Sequence, residues 1–376
     1  MAPLIQGISR VLQAMFENLT AATAAAWTTY LDTIQGEISA FAGRLGDPST
    51  YPFAVAPTHR LYWYYLFGFL AIAFALYLRR KPKGEAFTIK RFLRFWLPGS
   101  VYRHRSTLLD LKFYLFNGVF VEIAFVTVLI GSFFGFAGVF ETAFRALWPG
   151  PDPNLTASPS AEFAYMAAII LAADLGFFIG HYLSHKVPLL WEFHKVHHSA
   201  PVLNPLTNYR FHPVDRILLG IFIGLSIALI KGGFGFAYPD GIAEMTALNV
   251  GVLLAFNLSA NLRHSHIWLS YGWHLSHILS SPAQHQIHHG SEPRHFDKNF
   301  GLIFSLWDWI AGTLYVPRAV EQVRFGLSGR EHEEYDSLWR LYSLPFIKAK
   351  AVLWGRPARA PIARSEGPRR LKAQEN

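Results

Sequence analysis

Asp174-Leu-Gly-Phe-Phe-Ile-Gly-His181-Tyr-Leu-Ser-His185 leads into Trp191-Glu-Phe-His194-Lys-Val-His197-His198. The pattern returns at His264-Ser-His266 and again at His285-Gln-Ile-His288-His289. Thirteen of the 17 histidines lie between His181 and His289. Residues three and four apart share a helix face, with Cβ atoms about 5–6 Å apart. On that spacing His181 and His185 point at one ion, His194, His197 and His198 do the same from one stripe, and His285, His288 and His289 repeat it. A single membrane-edge histidine is more often a hydrogen bonder than a ligand. Two HxxHH motifs and one HxxxH in one chain are a poor fit to chance. His264 is a candidate ninth ligand. His212, in Arg210-Phe-His212-Pro-Val-Asp215, reads as a ligand, an outer partner or a helix-start residue. His266, His274 and His277 read as ligands, proton carriers or surface groups.

Eight or nine histidines exceed the needs of one ion, since a catalytic zinc usually takes three protein ligands and an open position. Two ions close together fit the count. The chain has no cysteine, which excludes disulfides, thiolate sites, iron–sulfur clusters and cysteine nucleophiles. Imidazole suits zinc, copper, iron and nickel. A redox pair of iron ions leads this reading, and two zinc ions stay open. Carboxylates usually orient metal-binding imidazoles from outside. Asp174, seven residues before His181 and on nearly the same helix face, is one candidate. Asp215 and Asp297 are others, with a helix cap as the alternative for Asp215. Glu192 reads as solvated.

Hydrophobic residues make up 52% of the 376, and charged residues only 16%. Soluble domains carry about 25% charged residues, so the deficit points to a membrane. The net charge of +9 could suggest nucleic acid. Its placement argues against that, because Arg79, Arg80, Lys81, Lys83, Lys90, Arg91, Arg94, Arg103 and Arg105 follow an apolar run. That is the positive-inside pattern. Residues 1–60 read as an amphipathic helical segment without a signal-peptide pattern. Residues 61–320 read as the membrane domain, and 321–376 as a polar, partly disordered tail. Leu61–Leu78, Phe113–Phe140 and Phe163–Gly180 are long enough to span. Glu122 lies within the second run. Ile217–Ile230, ended by Lys231-Gly-Gly, looks short, and with Ile242–Asn257 it makes a spanning or re-entrant hairpin. With 79–112 inside, every histidine cluster emerges at the cytoplasmic face. The expected fold is an all-α integral membrane protein with four or five transmembrane or re-entrant helices. A cytoplasmic helical cap would hold the polyhistidine di-metal site.

These motifs resemble the fatty acid hydroxylase/sterol desaturase superfamily of membrane di-iron oxygenases. The resemblance rests on the stretches quoted above, on Ser281-Pro282-Ala-Gln-His285, and on Asp297-Lys-Asn299-Phe-Gly301…Leu306-Trp307-Asp308…Gly312-Thr313. It implies O2-dependent oxidation of an unactivated C–H bond in a lipid, by hydroxylation or desaturation. It also implies two irons and an external electron donor such as a ferredoxin, a cytochrome or a reductase. The ligand positions it implies are His181, His185, His194, His197, His198, His264, His285, His288 and His289. Many members carry Asn where His266 stands. The rivals are a carotenoid hydroxylase of the same class and a non-redox zinc protein of the membrane. A bacterial inner membrane suits the composition, and no nucleic-acid partner is expected.

Overall fold

The computed structural model of the chain describes Gln13, residues 63–148, Gly150, 156–238 and 260–355. The amphipathic helix expected within 1–60 (Gln13 apart), the apolar run Ile242–Asn257, the tail 356–376 and the side chain of Glu122 lie outside the described residues.

Among the described residues all regular structure is helical. Extended segments meet only at the isolated bridges Leu279–Phe304 and Gly290–Phe325. Helix α1, Trp63–Arg80, ends on its two arginines, where cations complement the helix dipole. Short helices α2 (Ile89–Trp96) and α3 (Gly99–Tyr102) follow, then α4, Arg105–Leu147, of 43 residues. Helix α4 extends the expected apolar run at both ends, and its first turns bury Ser106, Thr107 and Asp110. Helix α5, Pro159–Lys186, is capped by Ser158. Pro188 starts α6, Pro188–His198. A proline lacks the N–H that would continue α5 but fits the first turn of a new helix. The junction therefore redirects the chain between His185 and His194.

Helix α7, Pro213–Ala237, departs from expectation by running 25 residues, straight through Lys231-Gly-Gly. At 1.5 Å per residue it is about 38 Å long. The glycines serve packing rather than termination. A Cβ on Gly232 would lie 2.7 Å from the Ala137 carbonyl of α4. One on Gly176 of α5 would lie 2.5 Å from the Phe222 carbonyl of α7. Bare backbone at these two positions lets α7 lie against both α4 and α5. Helices α5 and α7 are long and apolar enough to cross a bilayer.

Beyond α7 come the short helices α8 (Gly272–Leu275), α9 (Pro282–His288) and α10 (Leu306–Ile310), then α11, Leu338–Leu353. Helix α9 starts with a capping box in which Ser281 and Gln284 satisfy each other's backbone N–H groups, a stabilising start for so short a helix. Residues 321–355 belong to the body of the fold. Helix α11 packs on α6, and Leu341, Tyr335 and Leu327 share a core cluster with Val196, Leu109 and Phe113.

Candidate metal centre

The nine histidines named above converge from four segments into two groups. His181, His185, His194, His198 and His288 form the first, and His197, His264, His285 and His289 the second. Within each group the nearest ring nitrogens all lie within 4.8 Å of one another. The spacing sets each HxxHH triplet on one ion, but each is divided between the groups. His194 and His198 go to the first and His197 to the second; His285 and His289 go to the second and His288 to the first. The reason is helical geometry. Residues four apart differ by about 40° around the axis, whereas the remaining member of each triplet lies about 60° to the other side. Every i, i+4 pair, His181–His185 included, stays together.

Hydrogen bonds aim three of these rings. His181 Nδ1 lies 2.8 Å from the Phe300 carbonyl, and His288 Nδ1 lies 2.8 Å from the Lys298 carbonyl. A carbonyl only accepts, so Nδ1 carries the proton in both rings. His194 Nδ1 likewise donates to Asp215 Oδ2 at 2.9 Å. In a neutral imidazole the other nitrogen then holds a lone pair. Nε2 of His181, His194 and His288 is buried with no partner among the described residues, as is Nε2 of His185 and His198. Buried polar atoms are nearly always satisfied, so five orphaned ring nitrogens gathered within 4.8 Å of one another fit a cation. In the second group Nε2 of His264 lies 3.2 Å from that of His197, 3.1 Å from His289 and 3.0 Å from His285. Nitrogens about 2.0–2.1 Å from a shared ion sit about 3 Å apart. Both groups therefore fit metal-ion sites with nitrogen donors.

Burial is the main cause that holds His197, His198, His285, His288 and His289 well below the ordinary histidine range, and neighbouring imidazoles add to it. All five are neutral at pH 7, as ligands must be. The unfolded chain titrates near the ordinary value of 6.5. The folded chain thus binds fewer protons below that pH, and its stability falls as acid is added. Thermal melts of the metal-stripped protein are expected to show full stability above pH 6.5, lost progressively as the pH falls below 6.5 toward the depressed folded values. A flat profile between pH 7 and pH 5 would mean that the rings are hydrated.

The structure places the remaining candidates outside the two groups. His212 accepts from Val214 N through Nδ1 and donates from Nε2 to the Tyr342 carbonyl, so both nitrogens are engaged. It is the residue before Pro213, capping α7. His266 bonds the Phe95 carbonyl at 2.7 Å. His274 and His277 stand on the surface around α8. Among the described residues Asp174 is hydrogen-bonded to no histidine. It accepts from Ile303 N, Phe304 N and the Trp307 indole at 2.7–3.1 Å. It thereby ties α5 to the loop whose Phe300 carbonyl orients His181. Asp297 pairs with Lys186 at 2.6 Å on a half-open surface. Glu192, expected in solvent, is buried and paired with Lys195, which also reaches Glu331.

Two further residues support the site. Asp308 accepts from Phe300 N at 2.8 Å and Gly301 N at 2.7 Å. Asn299, at φ +59°, donates to the Gln284 and Tyr315 carbonyls. Asn tolerates that left-handed region better than most side chains. The Asp-x-Asn-x-Gly run at 297–301 was the available signal. A cavity of about 380 Å³ reaches His185, His198 and His288, with Lys195, Asp297 and Glu331 on its wall.

Asp215 offers a graded test. Asn at this position keeps one acceptor for His194 but loses the charge. Such outer-partner losses cost about 10–100-fold in metal affinity or activity. Asp215→Asn is expected to lose metal in that range under chelator challenge while keeping its helical content.

Residues 166–313 match the fatty acid hydroxylase family model, and this stretch contains all nine clustered histidines. The chain is 29% identical over 203 residues to an alkylglycerol monooxygenase of Danio rerio, covering 51% of this chain and 42% of that protein. It is 29% identical over 161 residues to an ornithine lipid hydroxylase of Rhizobium tropici, covering 43% and 45%. Identity to the cholesterol 25-hydroxylase of Homo sapiens is 29% over 147 residues, covering 39% and 49%. The chain thus spans less than half the length of these relatives. No solved structure matches it. The resemblance to the fatty acid hydroxylase/sterol desaturase superfamily holds over the stretch that carries the two histidine clusters.

Proposed function

We propose that this chain, through its fatty acid hydroxylase domain, is an O2-dependent membrane oxygenase that hydroxylates a C–H bond of a lipid at a di-iron centre. The observation that carries the reading is the pair of nitrogen-only clusters, with three Nδ1–H groups tied outward and the opposite lone pairs turned inward. The nine histidines are the proposed ligands. Two bound irons would supply the activation of O2 that an unactivated C–H bond requires, with electrons from a separate protein donor.

The residues of the chain do the positioning. Asp215 and the Phe300 and Lys298 carbonyls keep three imidazoles from turning. Asp174 and Asp308 hold the 300–308 loop that carries one of those carbonyls. Burial of both sets excludes bulk water, which protects a reactive oxidant from side reactions. The polar wall of the cavity at His185, His198 and His288 suits small polar reagents, while the apolar flanks of α5 and α7 suit an acyl chain or ring.

Hydroxylation is favoured over desaturation because the three relatives described above are named as hydroxylases or monooxygenases. Their named substrates are an ether lipid, an ornithine lipid and a sterol, so the shared class is a membrane lipid. The site faces the cytoplasm on the charge reading of the sequence, and a bacterial inner membrane is the proposed setting.

The test is purified protein with iron, a reductase system, lipid extract and isotopically labelled O2. Label in a hydroxylated lipid is the expected result. Full iron loading with no label in any lipid would sink the oxygenase reading, and zinc retained in place of iron would favour a non-redox site.

A further inference from the structure

At the end of α1, away from the histidines, a cavity of about 620 Å³ is lined by Arg79, Arg80 and Arg318 and, among the described residues, by no acidic one. Three distant segments build it: the last turn of α1, residues 268–273, and residues 317–320. Two arginines are held in place. Arg80 donates from Nη2 to the Trp268 carbonyl, and the Arg318 guanidinium sits 4.6 Å from the centre of the Trp273 ring. Guanidinium groups are always charged and match phosphate oxygens in a fork. Three of them around one hollow repel one another unless an anion joins them.

The surroundings select the kind of anion. The rim exposes apolar surface, with Trp273 45% and Val320 67% exposed. Phe74 and Leu78 of α1 are also open, on an apolar helix of 18 residues whose last two are these arginines. Arg and Trp at the end of an apolar helix mark the headgroup level of a bilayer. A soluble phosphate would use the charge but leave the apolar rim wet, whereas a lipid uses both.

We propose that this cavity binds the phosphate headgroup of an anionic phospholipid, with the acyl chains lying against α1 and the Trp273–Val320 rim. This site is separate from the histidine centre and does not depend on the reading of that centre.

The test uses the full chain in detergent micelles, titrated with phosphatidylglycerol or phosphatidylcholine and read by native mass spectrometry. Phosphatidylglycerol is expected to bind in preference to phosphatidylcholine. Loss of two guanidinium–phosphate contacts in R80Q/R318Q should weaken it about tenfold or more, and R318K should recover part of the loss. Circular dichroism checks the fold. If the double variant fails to fold, R318Q alone, at an exposed position, carries the test with a smaller loss. Equal binding of the two lipids, or undiminished phosphatidylglycerol binding by the variants, would overturn the proposal. Displacement of the lipid by millimolar inorganic phosphate would reassign the cavity to a free anion.

Discussion

His198→Ala is expected to strip one iron and His197→Ala the other, although the two residues are neighbours in sequence. Each variant should keep about one iron per chain and lose hydroxylation to the background rate, because two ions acting together cannot be replaced by one. The argument is geometric. His198 shares its cluster with His181, His185, His194 and His288, and His197 shares the other with His264, His285 and His289. Pairs of variants sharpen the result. His198→Ala with His288→Ala removes two ligands of one ion and should still leave about one iron. His197→Ala with His198→Ala should leave none. Iron content by elemental analysis, with helicity as the control, gives the answer. If the two single variants emptied the same site, the division of the HxxHH stripes would be wrong.

That division marks how far the sequence could be read. Helical spacing identified eight of the nine imidazoles that gather, because i, i+3 and i+4 residues share a face whatever their neighbours do, whereas His264 stands outside any such motif. Spacing also set each triplet on one ion, which the structure overturns, because which ion each imidazole meets is not a matter of spacing. That depends on how α6, α9 and the end of α5 are turned toward one another, which the Pro188 junction and the loop from 297 to 308 decide. The carboxylates were harder still. Asp174 shares nearly one stripe with His181, yet it bonds loop backbone, since Ile303 and Phe304 offer N–H groups on its side of α5. Asp215, for which a cap was the alternative, holds His194. Spacing reports the face of a helix and is silent about what another segment brings to that face. The short apolar run in α7 misled for a related reason. Gly232 lowers local helix propensity, but its close contact with α4 keeps the helix going.

Arg210→Ala is expected to be among the most damaging changes outside the histidines. Arg210 and Asp110 are almost fully buried, at 1% and 0% side-chain exposure, and pair at 2.8 Å. Arg210 also donates to the Val196 carbonyl, Ser106 Oγ, Ser199 Oγ and the Tyr335 carbonyl. Asp110 also accepts from Asn204 and Thr207. The network therefore grips α6 at Val196 and Ser199, on either side of His197 and His198, and fastens it to α4. Removing one partner of such a pair leaves a buried charge uncompensated and costs about 3–5 kcal/mol. Arg210→Ala should lower the unfolding free energy of the purified protein by that scale and release metal from both clusters, since His197 and His198 serve one each. The double change Arg210→Met with Asp110→Leu removes both charges and keeps apolar volume, so it should recover much of the stability. It should not recover full metal retention, because the Val196 and Ser199 anchors stay lost. Stability and metal content that recover together would make the pair a matter of charge balance alone. Recovery of stability without metal would mean that Arg210 sets the position of α6 beneath the site.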